Sequence, residues 1–201
     1  MRYLLLIIAI IPSLFLEAQE DYKILLNDTT INVGLDKKYE MIIDGKKIIF
    51  QLQMNDLLEY DDRLFRFYYP KDFKISKLKV DSGIEQITIL TAEGSGFLIQ
   101  KYTTINPSGL NDMMLREITK ENINYGYQLN REDYKRPLKS GQIIEINKAD
   151  LSYKDKKTTY EIASFGRKDE GLIIITVLVD KNYSGQAKKV IDLLWSSLII
   201  K

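Results

Sequence analysis

The order of apolar and polar residues along this chain predicts a protein built mainly of antiparallel β-strands. Residues 39–43 and 46–52 flank Asp44-Gly45, the dipeptide that most readily adopts the φ angles of a two-residue turn, and therefore predict a β-hairpin. Residues 65–69 alternate up to Pro70, which should end or bend its strand because proline has no N–H to donate. Further strands are predicted at 24–26, 31–33, 86–91, 97–103, 142–146, 150–153, 159–165 and 172–179. The last of these runs is almost wholly apolar and suits a central strand.

A helical period replaces this alternation after residue 109. The apolar face of the predicted helix consists of Leu110, Met113, Met114 and Ile118. Either Ser108 or Asn111 can cap the start of this helix, and Gly126 can end it.

A second helix is predicted after Ser184, close to the end of the sequence. Spacings of three and four residues place six apolar side chains in one stripe, namely Ala187, Val190, Ile191, Leu194, Trp195 and Leu198. We expect this stripe to pack on the sheet, while Lys188, Lys189 and Asp192 remain in solvent on the opposite side. Residues 199–200 can form a short closing strand.

Residues 1–18 have the pattern of an export signal. Such a signal determines the compartment in which the rest of the chain functions. Arg2 supplies a positive start, residues 4–16 supply an apolar core, and Ala18 is a small residue at the expected cleavage position. The alternative is a retained membrane anchor, but a spanning helix needs about 20 apolar residues and this run is shorter. No Cys is present for a lipid anchor. We therefore expect an exported protein, periplasmic or secreted, with no stable membrane span after signal cleavage.

The charged and reactive side chains exclude several classes of function. With 29 Lys and Arg against 28 Asp and Glu, the formal net charge is +1, which offers no electrostatic footprint for nucleic acid. The sequence contains no His and no Cys, so it cannot form a Ser-His-Asp triad, a thiolate nucleophile or a zinc site of the His and Cys type. We expect no cofactor, no metal, no catalytic residues and no enzymatic activity.

Three short motifs resemble functional sites, and each has a simpler structural explanation. Ser76-Lys77-Leu78-Lys79 has the Ser-x-x-Lys spacing of serine acyl-enzymes, but its surroundings alternate like a strand or loop and the companion motifs are missing. Gly94-Ser95-Gly96 lacks a following helix that would hold a phosphate, and predicts a hairpin turn instead. Asp150, Ser152 and Asp155 offer oxygen ligands for calcium, but the glycine of an EF-hand loop is absent.

Paired carboxylates are the remaining route to catalysis, because two acids that face each other across a cleft can hydrolyse a glycoside. The acids available for such a pair are Asp61, Asp62, Asp72, Glu132, Asp133, Asp169 and Glu170. Adjacent residues of an extended chain point in opposite directions, and these acids lie beside basic or turn residues typical of exposed loops. A carboxylate-dependent glycosidase is therefore the less favoured alternative.

The aromatic content is high, with 13 Tyr and 7 Phe. Tyrosine is common in protein interfaces because its ring is large and stiff while its hydroxyl tolerates water. The tyrosines that flank turns or alternate with core positions are Tyr68, Tyr69, Tyr125, Tyr127, Tyr134, Tyr153 and Tyr160. We expect these side chains to form a partner surface or, alternatively, to line sheet edges and cover the core.

The run Phe67-Tyr68-Tyr69-Pro70, with Phe73 and Ile75 after it, begins an order of strands, helix, strands and terminal helix that closes at residues 197–199. This order resembles the PsbP and Mog-like family of α/β/α sandwiches, which includes exported bacterial members. The resemblance implies an α+β fold in which one domain contains a mainly antiparallel β-sheet flanked by two helices. The expected organisation is a signal at 1–18, a lead-in with a β-hairpin at 19–64, and a PsbP-like domain at 65–201.

The same resemblance implies a largely non-catalytic protein that docks onto larger assemblies. Our leading hypothesis is an exported, non-enzymatic binding or accessory protein that contacts an envelope or secreted protein. One alternative is an immunity or inhibitor protein that neutralises an exported toxin. Another is a carrier of a lipid or other apolar ligand, for which the adaptable side chains of Met113 and Met114 would be suited.

Overall fold

The computed structural model describes residues 22–26, 29–43, 45–179 and 185–201. The predicted export signal, Asp44 and Ser184 lie outside the described residues. The chain divides into two compact units, Met1–Met54 and Asn55–Lys201. Among the residues described, no helix combines the length and the apolar character needed to cross a bilayer.

The described residues of the first unit form two pairs of antiparallel strands. Strands β1 (Tyr22–Leu26) and β2 (Thr29–Val33) pair antiparallel, as do β3 (Lys38–Ile43) and β4 (Lys46–Gln51). Gly45 has a φ of 73°, which belongs to the left-handed region that a tight hairpin turn requires. The hairpin predicted from Asp44-Gly45 is confirmed.

The second unit contains the helices and the larger sheet. Its strands before the first helix are β5 (Leu57–Asp61), β6 (Phe65–Pro70), β7 (Ser76–Asp81), β8 (Ile84–Leu90) and β9 (Gly96–Tyr102). The elements that follow are α1 (Asn111–Asn124), β10 (Gln128–Arg131), β11 (Tyr134–Pro137), β12 (Ile143–Tyr153), β13 (Lys156–Arg167), β14 (Glu170–Val179), α2 (Gly185–Ser197) and β15 (Ile199–Ile200). This second unit begins before residue 65, because β5 pairs with β6.

The larger sheet is antiparallel and, in the described part of the chain, has eight strands. Seven follow the order β10-β12-β13-β14-β9-β8-β7, and β11 pairs with β12 beside β10. β14 lies in the middle of this order, as its apolar sequence predicts. β15, β6 and β5 form a separate three-stranded sheet. The expectation of a mostly antiparallel β-protein with two helices is confirmed for the described residues.

Side chains on alternate positions of β14 enter two different cores. Leu172 and Ile174 belong to a cluster that includes Leu194 and Trp195 of α2. Ile173 and Ile175 belong to a second cluster that includes Leu115 of α1. Because neighbouring residues of a strand point to opposite faces, each helix packs against its own face of the sheet.

The apolar stripe of α2 is buried as predicted. Ala187, Val190, Leu194 and Leu198 are between 0% and 1% exposed, and Trp195 is 4% exposed. The opposite residues Lys188, Lys189 and Asp192 are exposed, and the short strand predicted after the helix is β15. Because its apolar residues lie on one side only, burial of that side determines how the helix is oriented on the sheet.

The predicted apolar face of α1 is partly wrong. Met113 is 47% exposed, whereas Leu115 is 2% exposed and lies in the core. Leu110, Met114 and Ile118 do pack against that core, as expected. Met113 and Met114 are about 100° apart around a helix, so the face that Met114 and Leu115 share turns Met113 toward solvent.

The predicted cap of α1 is also wrong. Leu110 occupies the N-cap position and makes no side-chain capping hydrogen bond. The backbone N–H of Ser108 donates to Asn106 Oδ1 at 3.0 Å, so this asparagine orders the loop before the helix instead. The end of the helix follows the prediction, since the chain leaves α1 at Gly126 with a φ of 103°.

The sequence missed strand continuity where polar residues interrupt the pattern. The runs predicted at 142–146 and 150–153 are one strand, β12, because residues 146–153 pair without a break with β13. Lys148, in the interrupted part of the pattern, forms ion pairs with Glu132 at 3.1 Å and Asp150 at 3.6 Å. β10 was not predicted, since all of its residues are exposed and leave no alternating signal. β5 and β11 were likewise not predicted.

Candidate binding site

Three tyrosines meet where α1 ends and β12 turns into β13. Tyr125 and Tyr127 flank Gly126 just after the helix, and Tyr153 is the last residue of β12. The N–H of Gly126 donates to the carbonyl of Ile123 at 2.9 Å, and the N–H of Tyr127 donates to the carbonyl of Asn122 at 3.0 Å. These bonds close the end of the helix and hold both tyrosines in defined positions.

The rings of Tyr125, Tyr127 and Tyr153, here called the tyrosine cluster, contact one another in all three pairs. The ring centroids are 6.3 Å apart for Tyr125 and Tyr127, 5.6 Å for Tyr125 and Tyr153, and 5.3 Å for Tyr127 and Tyr153. Tyr125 is 72% exposed. The Nζ atom of Lys154 lies 5.2 Å from the Tyr153 ring centroid, within the range of a cation–π interaction. The cluster is therefore a preformed aromatic surface with a positive charge beside it.

Exposed apolar side chains continue from this cluster along α1. A shallow cleft of about 490 Å³ lies between α1 and β10, and its lining includes Met113, Ile123 and Leu129. Arg116 and Lys120 also line this cleft, where they pair with Asp112 at 3.0 Å and with Glu117 at 3.8 Å. An apolar floor with a charged rim is the arrangement found in protein interfaces.

The other four tyrosines of the predicted partner surface lie elsewhere. Tyr160 packs against the core beneath α1, and burial raises the pKa of its hydroxyl. Tyr69 packs against the core beneath α2, while Tyr68 on the same strand is 37% exposed. Tyr134 is partly buried and hydrogen-bonded. The structure thus brings three of the seven together.

Tyr134 belongs to a polar network centred on Glu161, which the sequence did not predict. The hydroxyl of Tyr134 donates to Glu161 Oε1 at 2.6 Å, and the indole N–H of Trp195 donates to Oε2 at 3.2 Å. Arg136 donates to the Tyr134 hydroxyl at 2.8 Å, and its guanidinium carbon lies 4.8 Å from the Trp195 ring centroid. This network ties the buried end of α2 to β13.

The network also changes the acidity of the phenol. Burial raises the pKa of Tyr134, and the Glu161 carboxylate raises it further, to about 12, because both disfavour a phenolate at this position. Arg136 opposes this shift. A buried indole N–H needs a hydrogen-bond acceptor. An acidic residue at an inward-facing position of a strand was therefore the sequence feature that could have indicated this network.

Five of the carboxylates considered for glycoside hydrolysis form ion pairs, namely Asp61, Asp62, Glu132, Asp133 and Glu170. Lys101 Nζ lies 2.7 Å from Asp62 Oδ2 and 2.6 Å from Glu85 Oε2. Burial alone would raise the pKa of Asp62, but the hydrogen bonds from Lys101 and from the Leu64 backbone hold it below its ordinary value. Glu170 pairs with Arg63 and Arg167. A general acid needs a raised pKa, and these contacts act in the opposite direction for Asp62.

The remaining motifs also have structural surroundings. The residues of β7, which carry the Ser-x-x-Lys spacing, are all exposed. The turn at 94–96 connects β8 to β9, and the Ser95 hydroxyl accepts the N–H of Val179 at 2.9 Å. Asp150, proposed as a calcium ligand, accepts a hydrogen bond from Thr159 at 2.5 Å and pairs with Lys157 at 3.5 Å.

No protein-family model matches this chain, and no curated protein matches it. Among solved structures, it is similar to cyanobacterial PsbP from Synechocystis sp. PCC 6803, with 11% identity, a TM-score of 0.48, and coverage of 75% of this chain and 95% of that one. A protein from Bacteroides thetaiotaomicron shares 14% identity with a TM-score of 0.37, over 71% of this chain and 48% of its own.

A third solved structure is a protein of unknown function from Pseudomonas aeruginosa, described as a putative regulator. It shares 8% identity with a TM-score of 0.34, over 82% of this chain and 97% of its own. Identities and TM-scores at this level support no inference about what this chain binds or does.

Proposed function

We propose that this protein is an exported, non-enzymatic binding protein that contacts a protein partner through the tyrosine cluster. The observation that carries the proposal is the contact of the exposed Tyr125 with the partly buried Tyr127 and Tyr153 at the end of α1. Three rings in mutual contact present a large surface outside the two cores.

Little side-chain conformational entropy is lost when such a surface binds a partner. A tyrosine has two side-chain torsions, and rings that already contact one another are less free to move than isolated ones. The hydroxyls can exchange hydrogen bonds with water for bonds to a partner. Ile123 and Leu129 extend the apolar area, and Lys154 adds a positive charge suited to an acidic residue of the partner.

The proposal includes the fold in which this surface is presented. We infer that the second unit is a PsbP-like α/β/α sandwich in which α1 and α2 form the outer layers. The alternation of β14 between two cores supports this inference. In such an arrangement α2 provides the hydrophobic stability, and the end of α1 is available for recognition.

The experiment is quantitative capture of a partner from the native envelope fraction. The bait is the purified protein, compared with a Tyr125→Ser, Tyr153→Ser double variant and with a Tyr68→Ser control on β6. We expect a partner in fixed ratio with the unsubstituted protein and the control, and a loss of about tenfold or more with the double variant, because interface tyrosines are frequent hot spots.

Folding is checked for each variant by circular dichroism and urea unfolding. Equal capture by the unsubstituted protein and the double variant would show that the tyrosine cluster is not the binding surface. Turnover of a defined substrate, abolished by a single acid or hydroxyl substitution, would contradict the non-enzymatic part of the proposal.

A further inference from the structure

The hairpin formed by β3 and β4 exposes isoleucines on both of its faces. Ile42 pairs with Lys47, and Glu40 pairs with Ile49, so Ile42 and Ile49 lie on the same face. These two side chains are 76% and 59% exposed. On the other face, Ile43 and Ile48 are 36% and 40% exposed.

This two-sided exposure limits what can cover the hairpin. A folded protein that docks on one face of a two-stranded hairpin leaves the isoleucines of the other face in water. A lipid layer surrounds an inserted element and covers both faces at once. Exposed apolar surface of this kind marks an interaction site.

The charges of the hairpin sequence favour anionic lipid. Its three lysines, Lys38, Lys46 and Lys47, outnumber its two acidic residues, Glu40 and Asp44. The Lys47 Nζ atom lies 2.7 Å from Glu40 Oε2, yet the two side chains remain 60% and 58% exposed. Lysines next to exposed isoleucines can reach phosphate groups while the aliphatic side chains enter the acyl boundary.

We propose that the exposed isoleucines of β3 and β4 insert into the interfacial layer of a bilayer that contains anionic phospholipid. In the described residues, β3 and β4 form a sheet of two strands, which leaves backbone groups along the outer edges. Such groups cannot enter hydrocarbon without a partner, so the insertion is shallow and the lysines remain at the level of the head groups.

The test is co-sedimentation of the protein, as recovered after export, with large vesicles. One set of vesicles contains phosphatidylcholine alone, and the other contains phosphatidylcholine mixed with phosphatidylglycerol. We expect binding to the anionic vesicles, a reduction of about tenfold with Ile42→Ser, Ile49→Ser, and weaker binding at high salt. Lys46→Glu, Lys47→Glu should reduce binding to the anionic vesicles in particular.

The matched control is Leu78→Ser, Val80→Ser on β7, since these residues are 58% and 49% exposed in the second unit. This variant should bind the vesicles as the unsubstituted protein does. The double tyrosine variant should also bind normally, which separates this proposal from the binding function of the tyrosine cluster.

Two results would overturn the proposal. One is equal vesicle binding by the unsubstituted protein and the Ile42→Ser, Ile49→Ser variant, or no binding by either. The other is a concentration-dependent dimer in analytical ultracentrifugation that the same isoleucine variant abolishes, because the hairpin would then pair with a second copy of the chain.

Discussion

The two helices of the second unit share one sheet but are buried to very different extents. α2 has six buried residues, which are Ala187, Val190, Ile191, Leu194, Trp195 and Ser197. α1 has two, Leu115 and Thr119, and its exposed side chains include Met113 and Ile123. Apolar surface buried by α2 stabilises the fold, whereas apolar surface left exposed by α1 is available for binding.

The comparison also extends to polar groups. Trp195 of α2 donates to a carboxylate inside the protein, so its one polar atom is paired. Tyr125, just after α1, is 72% exposed, and its ring contacts are with other tyrosines. A molecule that separates these roles can change its exposed aromatic surface without losing its core.

The largest expected effect is a difference in stability between substitutions in the two helices. Leu194→Ala should lower the free energy of unfolding by about 3–4 kcal/mol, because it removes a fully buried side chain and leaves a cavity. Met113→Ala on α1 should change it by less than about 0.5 kcal/mol, since this side chain is 47% exposed. Urea unfolding followed by circular dichroism measures both.

Equal losses for these two variants would contradict the comparison. They would mean that α1 depends on its outer face for stability as strongly as α2 depends on its stripe. The slope of the unfolding transition should stay constant, so that a shift in midpoint reports stability alone.

A smaller effect is expected where the loop before α1 approaches the sheet. A Cβ atom added at Gly171 would lie 2.2 Å from the backbone carbonyl oxygen of Phe165, 2.6 Å from Pro107 Cδ and 2.7 Å from Gly166 Cα, much closer than such atoms normally approach. Gly171→Ala should therefore destabilise the protein by about 1–3 kcal/mol through overpacking. Gly109→Ala is the control, because nothing lies within 4 Å of its added Cβ.

This pair tests how tightly β13 and the loop before α1 pack around Gly171 of β14. A Gly171→Ala variant as stable as the control would show that the backbone of Phe165 and the ring of Pro107 can both move away from this position without loss.

The contrast between the helices explains which elements the sequence could predict. α2 was predicted with its correct face because the six apolar residues of its predicted stripe, which ends at Leu198, are all buried. α1 was predicted as a helix but with Met113 on the wrong side, because Met113 and Met114 are adjacent and equally apolar. Only contact with the sheet decides between them, and local spacing does not contain that information.

The sequence predicted the tyrosine cluster only in part. The end of α1 at Gly126 was predictable, and it placed Tyr125 and Tyr127 beside a turn. The approach of Tyr153 depends on the pairing of β10 with β12, and the exposed residues of β10 gave no alternating pattern. Long-range strand pairing was therefore the missing step.

The smallest expected effect concerns the polar network beneath α2. Tyr134→Phe should lower stability by about 1 kcal/mol near neutral pH, since it removes a hydrogen bond to Glu161 and a partner of Arg136. The pKa of Tyr134 is raised to about 12 in the folded protein, chiefly by burial and then by the Glu161 carboxylate. A tyrosine in the unfolded chain has a pKa of about 10.

The raised pKa fixes the sign of the pH dependence. Below about pH 10 the phenol is protonated in both states, so its contribution is fully present. As the pH rises from 10 toward about 12, the unfolded chain loses this proton more readily than the folded protein, and the contribution is lost. The gap in stability between the unsubstituted protein and Tyr134→Phe should therefore be constant up to about pH 9 and should shrink above pH 10.

Comparing the two proteins at each pH cancels the effect of lysine titration on stability, because both proteins contain the same lysines. A gap that stays constant through pH 11 would show that α2 is not tied to β13 through this phenol.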